Sequence, residues 1–228
     1  IRQFQGVSEY RLSSNGLTVL LLAEPHSTST TVNMTYKAGS ADEQVGQAGI
    51  AHLLEHMIFR DTEKFKNALA AFSTHGLSAN GTTTENRTNY YATFPSSHET
   101  LEWYLNWQAD AMTHASLSPE TLAKEKTIVR NELEQKETSH RSRLLKQIRR
   151  AAYQKHPYGH TPIGERSDLQ HMSSEDLRNF YQTHYQPDNA VLIIAGSFDL
   201  DDTIHKIESI FGVIPRRTTQ VLPPPEPE

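Results

Sequence analysis

Two extended, apolar-leaning runs, Glu9–Ser13 and Leu17–Ala23, flank Asn15-Gly16. Both turn residues tolerate positive φ, so the pattern predicts a β-hairpin. Thr30–Ala38 alternates, with Val32, Met34 and Tyr36 on one face and Thr31, Asn33 and Thr35 on the other. That period predicts a third strand with one buried face. A polar, glycine-bounded loop follows over Gly39–Gly46. Gln47–Phe59 then places Ile50, Leu53, Leu54, Met57 and Ile58 at helical spacing. A second helix is expected over Phe65–Thr74, stopped by Gly76.

Leu77–Thr84 and Thr88–Phe94 read as two strands joined by Glu85-Asn86-Arg87, with Pro95 ending the second. Ser97–His114 has a helical apolar face of Leu101, Tyr104, Leu105, Ala109 and Met112. Ser118-Pro119-Glu120 starts a further helix, with a serine cap, proline in the first turn and an acid beside it. Its pattern runs to about Tyr153, and His156-Pro157-Tyr158-Gly159 breaks it. Ser173-Ser174-Glu175-Asp176 caps the next helix, which reaches about Tyr185. Ala190–Ala195 is an apolar run suited to a buried strand, and Leu200–Phe211 is the last helix. Hairpins and helices mix without regular alternation and without a repeat of 20–50 residues. The expected class is α+β, a largely antiparallel sheet with helices packed on it.

Composition narrows the function. The chain of 228 residues carries a net charge of −5 and a pI near 6.2, which argues against nucleic acid as the partner. Mean hydropathy is −0.61, and no stretch approaches the ~20 apolar residues of a membrane helix. Cysteine is absent. That excludes disulfide frameworks, thiol nucleophiles and cysteine-based zinc sites. It also leaves the compartment open, because such a chain survives reducing and oxidising surroundings alike. For a bacterial source the expectation is export, to the periplasm or beyond. The run Val221-Leu222-Pro223-Pro224-Pro225-Glu226-Pro227-Glu228 has the composition of a stiff linker. The expected organisation is one domain over residues 1–220 and a proline-rich linker over 221–228, leading to a further portion.

The 12 histidines direct attention to nitrogen and oxygen ligands. In His52-Leu53-Leu54-Glu55-His56, positions i and i+4 share a helix face, so two imidazoles can converge on one point. Glu55 lies three residues after His52, on the same side but displaced. A catalytic zinc needs a few nitrogen or oxygen ligands and an open position for water, and a nearby carboxylate can take that water's proton. The third ligand must come from elsewhere. On the helix from Ser118, Glu125 and Glu132 stand two turns apart on one face, and spacing does not choose between them. Glu134 and Glu137 read as a solvated charged face. Tyr158 and His160 read as loop residues packing on the core, ahead of any role at a reacting carbonyl. No Gly-x-Ser-x-Gly, P-loop or Gly-x-Gly-x-x-Gly pattern occurs.

The segment from Gly49 to Phe59, Gly-Ile-Ala-His-Leu-Leu-Glu-His-Met-Ile-Phe, closely resembles the zinc signature of pitrilysin/insulinase-type metallopeptidases, the inverted zincins. That family includes mitochondrial processing peptidases. Asn15–Val19, Ala79-Asn80-Gly81-Thr82-Thr83 with Thr88–Tyr91, Val129–Glu132, His156–Gly159 and Tyr185–Asn189 resemble its other landmarks, in the same order along the chain. The resemblance implies a zinc-dependent endopeptidase domain binding one Zn²⁺ through His52, His56 and Glu132, with Glu55 as general base. It assigns Glu125 to a supporting position beside the ligands. It also implies an edge strand at Ala79, Asn80 and Gly81, where a polypeptide substrate adds in extended form. Gly81 stands where the family more often has alanine, and Arg60-Asp61-Thr62 where a glycine before the threonine is usual. A downstream domain of the same chain, or a homologous partner chain, is expected to close over the zinc. The alternative is a non-catalytic scaffold or partner-binding subunit of the same fold. Such subunits are expected to lack part of the His/Glu set, and this chain keeps all of it.

Overall fold

The Asn15-Gly16 segment turns the chain between β2 (Val7–Arg11) and β3 (Thr18–Ala23), which pair antiparallel with Tyr10 opposite Val19. Gly16 takes φ +83°, the left-handed region that glycine occupies without cost. Asn15 does more than turn. It is fully buried, and its Nδ2 donates to the carbonyls of Phe211 at 2.7 Å and Ile214 at 2.9 Å, tying the hairpin to the end of the last helix. This is a computed structural model that describes residues 2–216; the proline-rich run 221–228 lies outside the described residues.

A short strand β1 (Arg2–Phe4) precedes the hairpin, and β4 (Ser29–Tyr36), β5 (Ser78–Thr83), β6 (Thr88–Pro95) and β7 (Ala190–Gly196) complete one sheet. Its order is β1-β2-β3-β7-β4-β6-β5. Every pairing is antiparallel except β3 with β7, so the expected α+β class with a largely antiparallel sheet holds. The alternation read in β4 is real: Val32, Met34 and Tyr36 are buried, with polar residues on the other face. That inner face of the sheet and the helices share one core.

The zinc-motif segment is α1 (Ile50–Ile58). Ile50, Leu53, Leu54 and Met57 have no exposed surface. At about 1.5–3 kcal/mol for each large apolar side chain buried, they anchor α1 between β5, β6 and the helices behind it. Shorter α2 (Ala68–Thr74) and longer α3 (His98–Thr113) follow the expected positions. The long helix from Ser118 differs from expectation. It is two helices, α4 (Pro119–Thr138) and α5 (His140–Ala152), broken at Ser139. Ser139 ends α4 in an extended conformation, and its side chain accepts from Ser142 N–H to start α5. No proline or glycine falls between Pro119 and Pro157, which is why the sequence alone did not part the two. A helix not anticipated, α6 (Arg166–His171), precedes α7 (Ser174–His184), whose capping box uses Ser173 and Asp176. The last element is α8 (Leu200–Phe211). Among the described residues no helix is long and apolar enough to cross a membrane.

One buried histidine gives the fold a pH dependence. His184 packs its ring 4.4 Å from Phe180, and its Nδ1 has no hydrogen bond. Burial pushes its pKa down to about 4. The folded protein therefore keeps His184 neutral where an unfolded chain, near 6.5, takes up a proton. This contribution is complete above pH 6.5 and is lost as pH falls from there toward 4, by at most about 3 kcal/mol. Urea denaturation at pH 7 and pH 5 should show a smaller acid loss in His184→Phe than in wild type. Equal losses would place the acid sensitivity elsewhere.

Candidate metal and catalytic site

α1 and α4 pack against each other, and the candidate ligands meet between them. Leu122, Val129 and Leu133 bury one stripe of α4, and that fixes the rotation at which Glu125 and Glu132 meet α1. Glu132 Oε2 lies 3.6 Å from His52 Nε2 and 3.6 Å from His56 Nε2. The three donor atoms all lie within 4.8 Å of one another. Ligands at 2.0–2.1 Å from a tetrahedral ion stand about 3.3 Å apart, so small side-chain adjustments bring this triangle to zinc-binding size. The residues present thus fit such an ion in donor type, number and spacing.

The groups of the triangle shift one another's protonation. His56, and after it Lys136 Nζ at 2.9 Å from Oε1, hold the Glu132 carboxyl down to about 2. Burial works against a charged His56, but Glu132, Glu55 and Glu125 outweigh it and raise its pKa. Burial, with the neighbouring His56, pushes His52 down to about 4, leaving it neutral as a ligand must be. Glu125 stands on the far side of the His56 ring, its Oε2 3.4 Å from Nδ1. A carboxylate on Nδ1 orients the ring and presents Nε2, the arrangement common behind metal-bound histidines. Glu125 is itself buried and held by Arg60, whose Nε lies 2.7 Å from its Oε1. The residue that stands where a glycine before the threonine is usual is its neighbour Asp61, whose Oδ1 accepts the Asn67 N–H at 2.9 Å, away from the ligand set.

Glu55 points from the same helix face toward β5. Thr83 Oγ1 donates to Glu55 Oε2 at 2.6 Å. Burial raises the Glu55 pKa, which makes it a stronger base, and the Thr83 bond opposes this in part. Gly81 leaves space for the carboxylate: a Cβ there would sit 2.8 Å from Glu55 Oε1 and 2.8 Å from Phe59 Cε2. The glycine at this position is therefore matched to where Glu55 lies.

β5 is one of the two edge strands of the sheet, with β6 on its one paired side. Ala79, Gly81 and Thr83 alternate toward the interior, and Asn80 is exposed. The Asn80 side-chain oxygen accepts from Gly81 N–H at 2.9 Å, so a peptide pairing with that N–H has to displace it. A cleft of about 510 Å³ opens over the triangle, lined by His52, Glu55, His56, Glu132, Gly81 and Thr83 on one side. Arg143, Leu145 and Arg149 of α5 form the other wall, which the sequence did not foretell because it joined α5 to α4. Ala79 and Asn80 do not line the cleft. Tyr158 is turned elsewhere: it packs on Tyr153 and donates to Asn86 Oδ1 at 2.7 Å, as a loop-packing residue does.

Comparison with known proteins identifies the family. Residues 18–166 match the family model described as insulinase, peptidase family M16, and residues 171–228 match the M16 inactive-domain model. A probable mitochondrial-processing peptidase subunit beta from Schizosaccharomyces pombe is 29% identical over 87% of this chain and 43% of its own length. Zinc protease PqqE from Helicobacter pylori is 28% identical over 92% of this chain and 48% of its own. The crystal structure of a protease from Helicobacter pylori superposes with a TM-score of 0.90 at 25% identity, over 96% of this chain and 53% of that one. The chain thus spans about half the length of the relatives it matches. With the fold, the two-helix triangle and a family match across most of its length, the chain belongs to the insulinase family of peptidases, M16.

Proposed function

We propose that this peptidase domain binds one zinc ion through His52 Nε2, His56 Nε2 and Glu132 Oε2 and is an endopeptidase acting on extended polypeptides. The observation that carries the reading is the triangle of these donors beside a buried carboxylate that is not among them. A zinc ion held there supplies an electrophile for the scissile carbonyl and makes water a better nucleophile near neutral pH. Glu55 takes the proton of the attacking water at Oε1, the oxygen that Thr83 leaves free, and delivers it to the departing amine nitrogen. Gly81 and Thr83 line the same cleft, so a peptide added to the β5 edge passes over Glu55. Asn80 yields the Gly81 N–H to that peptide. The non-catalytic alternative has no use for a carboxylate positioned by Thr83 and kept off the metal, and this favours the enzyme. Zinc analysis and mass spectrometry of a digested unfolded polypeptide test the reading. One zinc per chain and internal cleavage products are expected; stepwise loss of terminal residues would overturn the endopeptidase assignment.

The Thr83 bond provides a sharper check. Hydrogen bonds to charged groups are worth about 1.5–3 kcal/mol, and each 1.4 kcal/mol is tenfold in rate. Thr83→Val should lower kcat about tenfold with zinc content and KM unchanged, and Thr83→Ser should retain most of the rate. A wild-type kcat in Thr83→Val would mean that Glu55 is oriented by something else.

The remainder of the protein, or a homologous chain, supplies a further wall to the cleft. Relatives about twice the length of this chain support that view. A peptide held by one edge strand is poorly oriented, and water screens the charge developing on its carbonyl oxygen. The 228-residue chain alone is expected to bind zinc but cleave feebly beside the intact protein at equal zinc occupancy. Equal kcat/KM would make this domain self-sufficient.

A further inference from the structure

Helix α1 begins without a cap of its own. Its N-cap is Gly49 at φ +100°, which has no side chain to accept the N–H groups of the first turn. Glu43, six residues upstream, supplies the acceptors. Its Oε2 takes the Gly49 N–H at 2.9 Å and its Oε1 takes the Ala51 N–H at 3.0 Å. The Glu43 side chain has no exposed surface. A carboxylate gripping two amides at the positive end of a helix combines hydrogen bonding with the favourable helix dipole. The turn is also closed from the outside. A Cβ on Gly49 would lie 2.7 Å from the Ile163 carbonyl oxygen, and one on Gly164 would lie 2.0 Å from that of Ala48. Ala48 N–H and Gln47 Nε2 are held by Asp168 and Asp176, each at 3.0 Å. Of these carboxylates Glu43 alone holds an amide of the helix proper, at Ala51, the residue directly before His52.

We propose that Glu43 is a positioning residue for the metal and the base. Its two-oxygen grip sets the height and rotation at which His52, Glu55 and His56, all on α1, meet Glu132 on α4. The inference rests on the metal-site reading above. The isosteric Glu43→Gln replaces one acceptor oxygen by a donor, so one of the two N–H groups is left facing another N–H. The first turn of α1 then loosens while α4 keeps its place, and the three donors no longer converge.

The experiment compares wild type, Glu43→Gln and a control in the intact protein. The control is Asp110→Asn, another buried carboxylate, whose polar partners are Lys64 N–H at 2.9 Å and His114 Nδ1 at 3.2 Å, away from the triangle's own residues. Amide hydrogen exchange and Co²⁺ binding, with the visible spectrum of the bound ion, are measured. Glu43→Gln should speed exchange of the Leu53–Met57 amides and weaken Co²⁺ at least tenfold each, with an altered spectrum and unchanged exchange in β4. Asp110→Asn should lower the melting temperature without either effect. Wild-type exchange in α1 together with a wild-type cobalt affinity and spectrum in Glu43→Gln would overturn the proposal, whatever its melting temperature. If wild type itself binds no cobalt, the metal reading fails separately, and α1 exchange alone decides the role of Glu43. Should Glu43→Gln fail to fold, Glu43→Asp, which keeps the charge but retracts it by one methylene, is read by the same measurements.

Discussion

Glu55→Gln should retain zinc and lose peptide hydrolysis by roughly 10²–10⁴-fold, the usual worth of a positioned general base. The glutamine keeps the shape and can still accept from Thr83 Oγ1, so the bond that now measures 2.6 Å survives in weakened form. What disappears is the ability to take a proton at Oε1. Metal content separates the two roles a carboxylate can play here. Zinc at wild-type occupancy with activity abolished makes Glu55 the base. Zinc lost together with activity would make it a ligand and would contradict its direction toward β5.

Glu132→Gln is expected to act the other way, with the metal leaving first. Glu132 Oε2 is equidistant from both Nε2 atoms, and a neutral amide is a poor substitute for a carboxylate ligand. Glu125→Gln provides the scale. Loss of a carboxylate behind a ligating histidine typically costs ~10–100-fold in metal affinity, and loss of a direct ligand should exceed that. Competition with a chelator of known affinity ranks the two variants. A Glu132→Gln protein that holds zinc as well as wild type, beside a Glu125→Gln protein that does not, would exchange the roles assigned to these residues.

How much of this was legible beforehand follows from what periodicity can express. It reports the faces of one element, so the shared face of His52 and His56, the two-turn spacing of Glu125 and Glu132, and the strand at 78–83 could all be read. It does not report which elements oppose each other. Thr83 meets Glu55 across 28 residues of sequence because β5 packs on α1, and no local pattern marks that pair. Arg60 reaches Glu125 across the same kind of gap. Glu43 stood in a segment read only as a polar loop, since a carboxylate capping a helix six residues later leaves no spacing signature. The break at Ser139 was hidden for a different reason: no proline or glycine marks it, and only the extended backbone of Ser139, with its side chain accepting from Ser142 N–H, ends one helix and starts the next. Choosing Glu132 over Glu125 needed the family resemblance. The structure then places Glu132 Oε2 beside both Nε2 atoms and Glu125 behind one ring.

The central claim is that His52, His56 and Glu132 hold an ion on which peptide cleavage depends. The most direct measurement follows cleavage of an unstructured polypeptide by the intact protein as purified, after removal of metal by a chelator, and after return of one equivalent of zinc. The account predicts cleavage in the first state, none in the second and recovery in the third, with the fold retained throughout by circular dichroism. Undiminished cleavage by fully metal-free protein, or no cleavage at one zinc per chain, would contradict it.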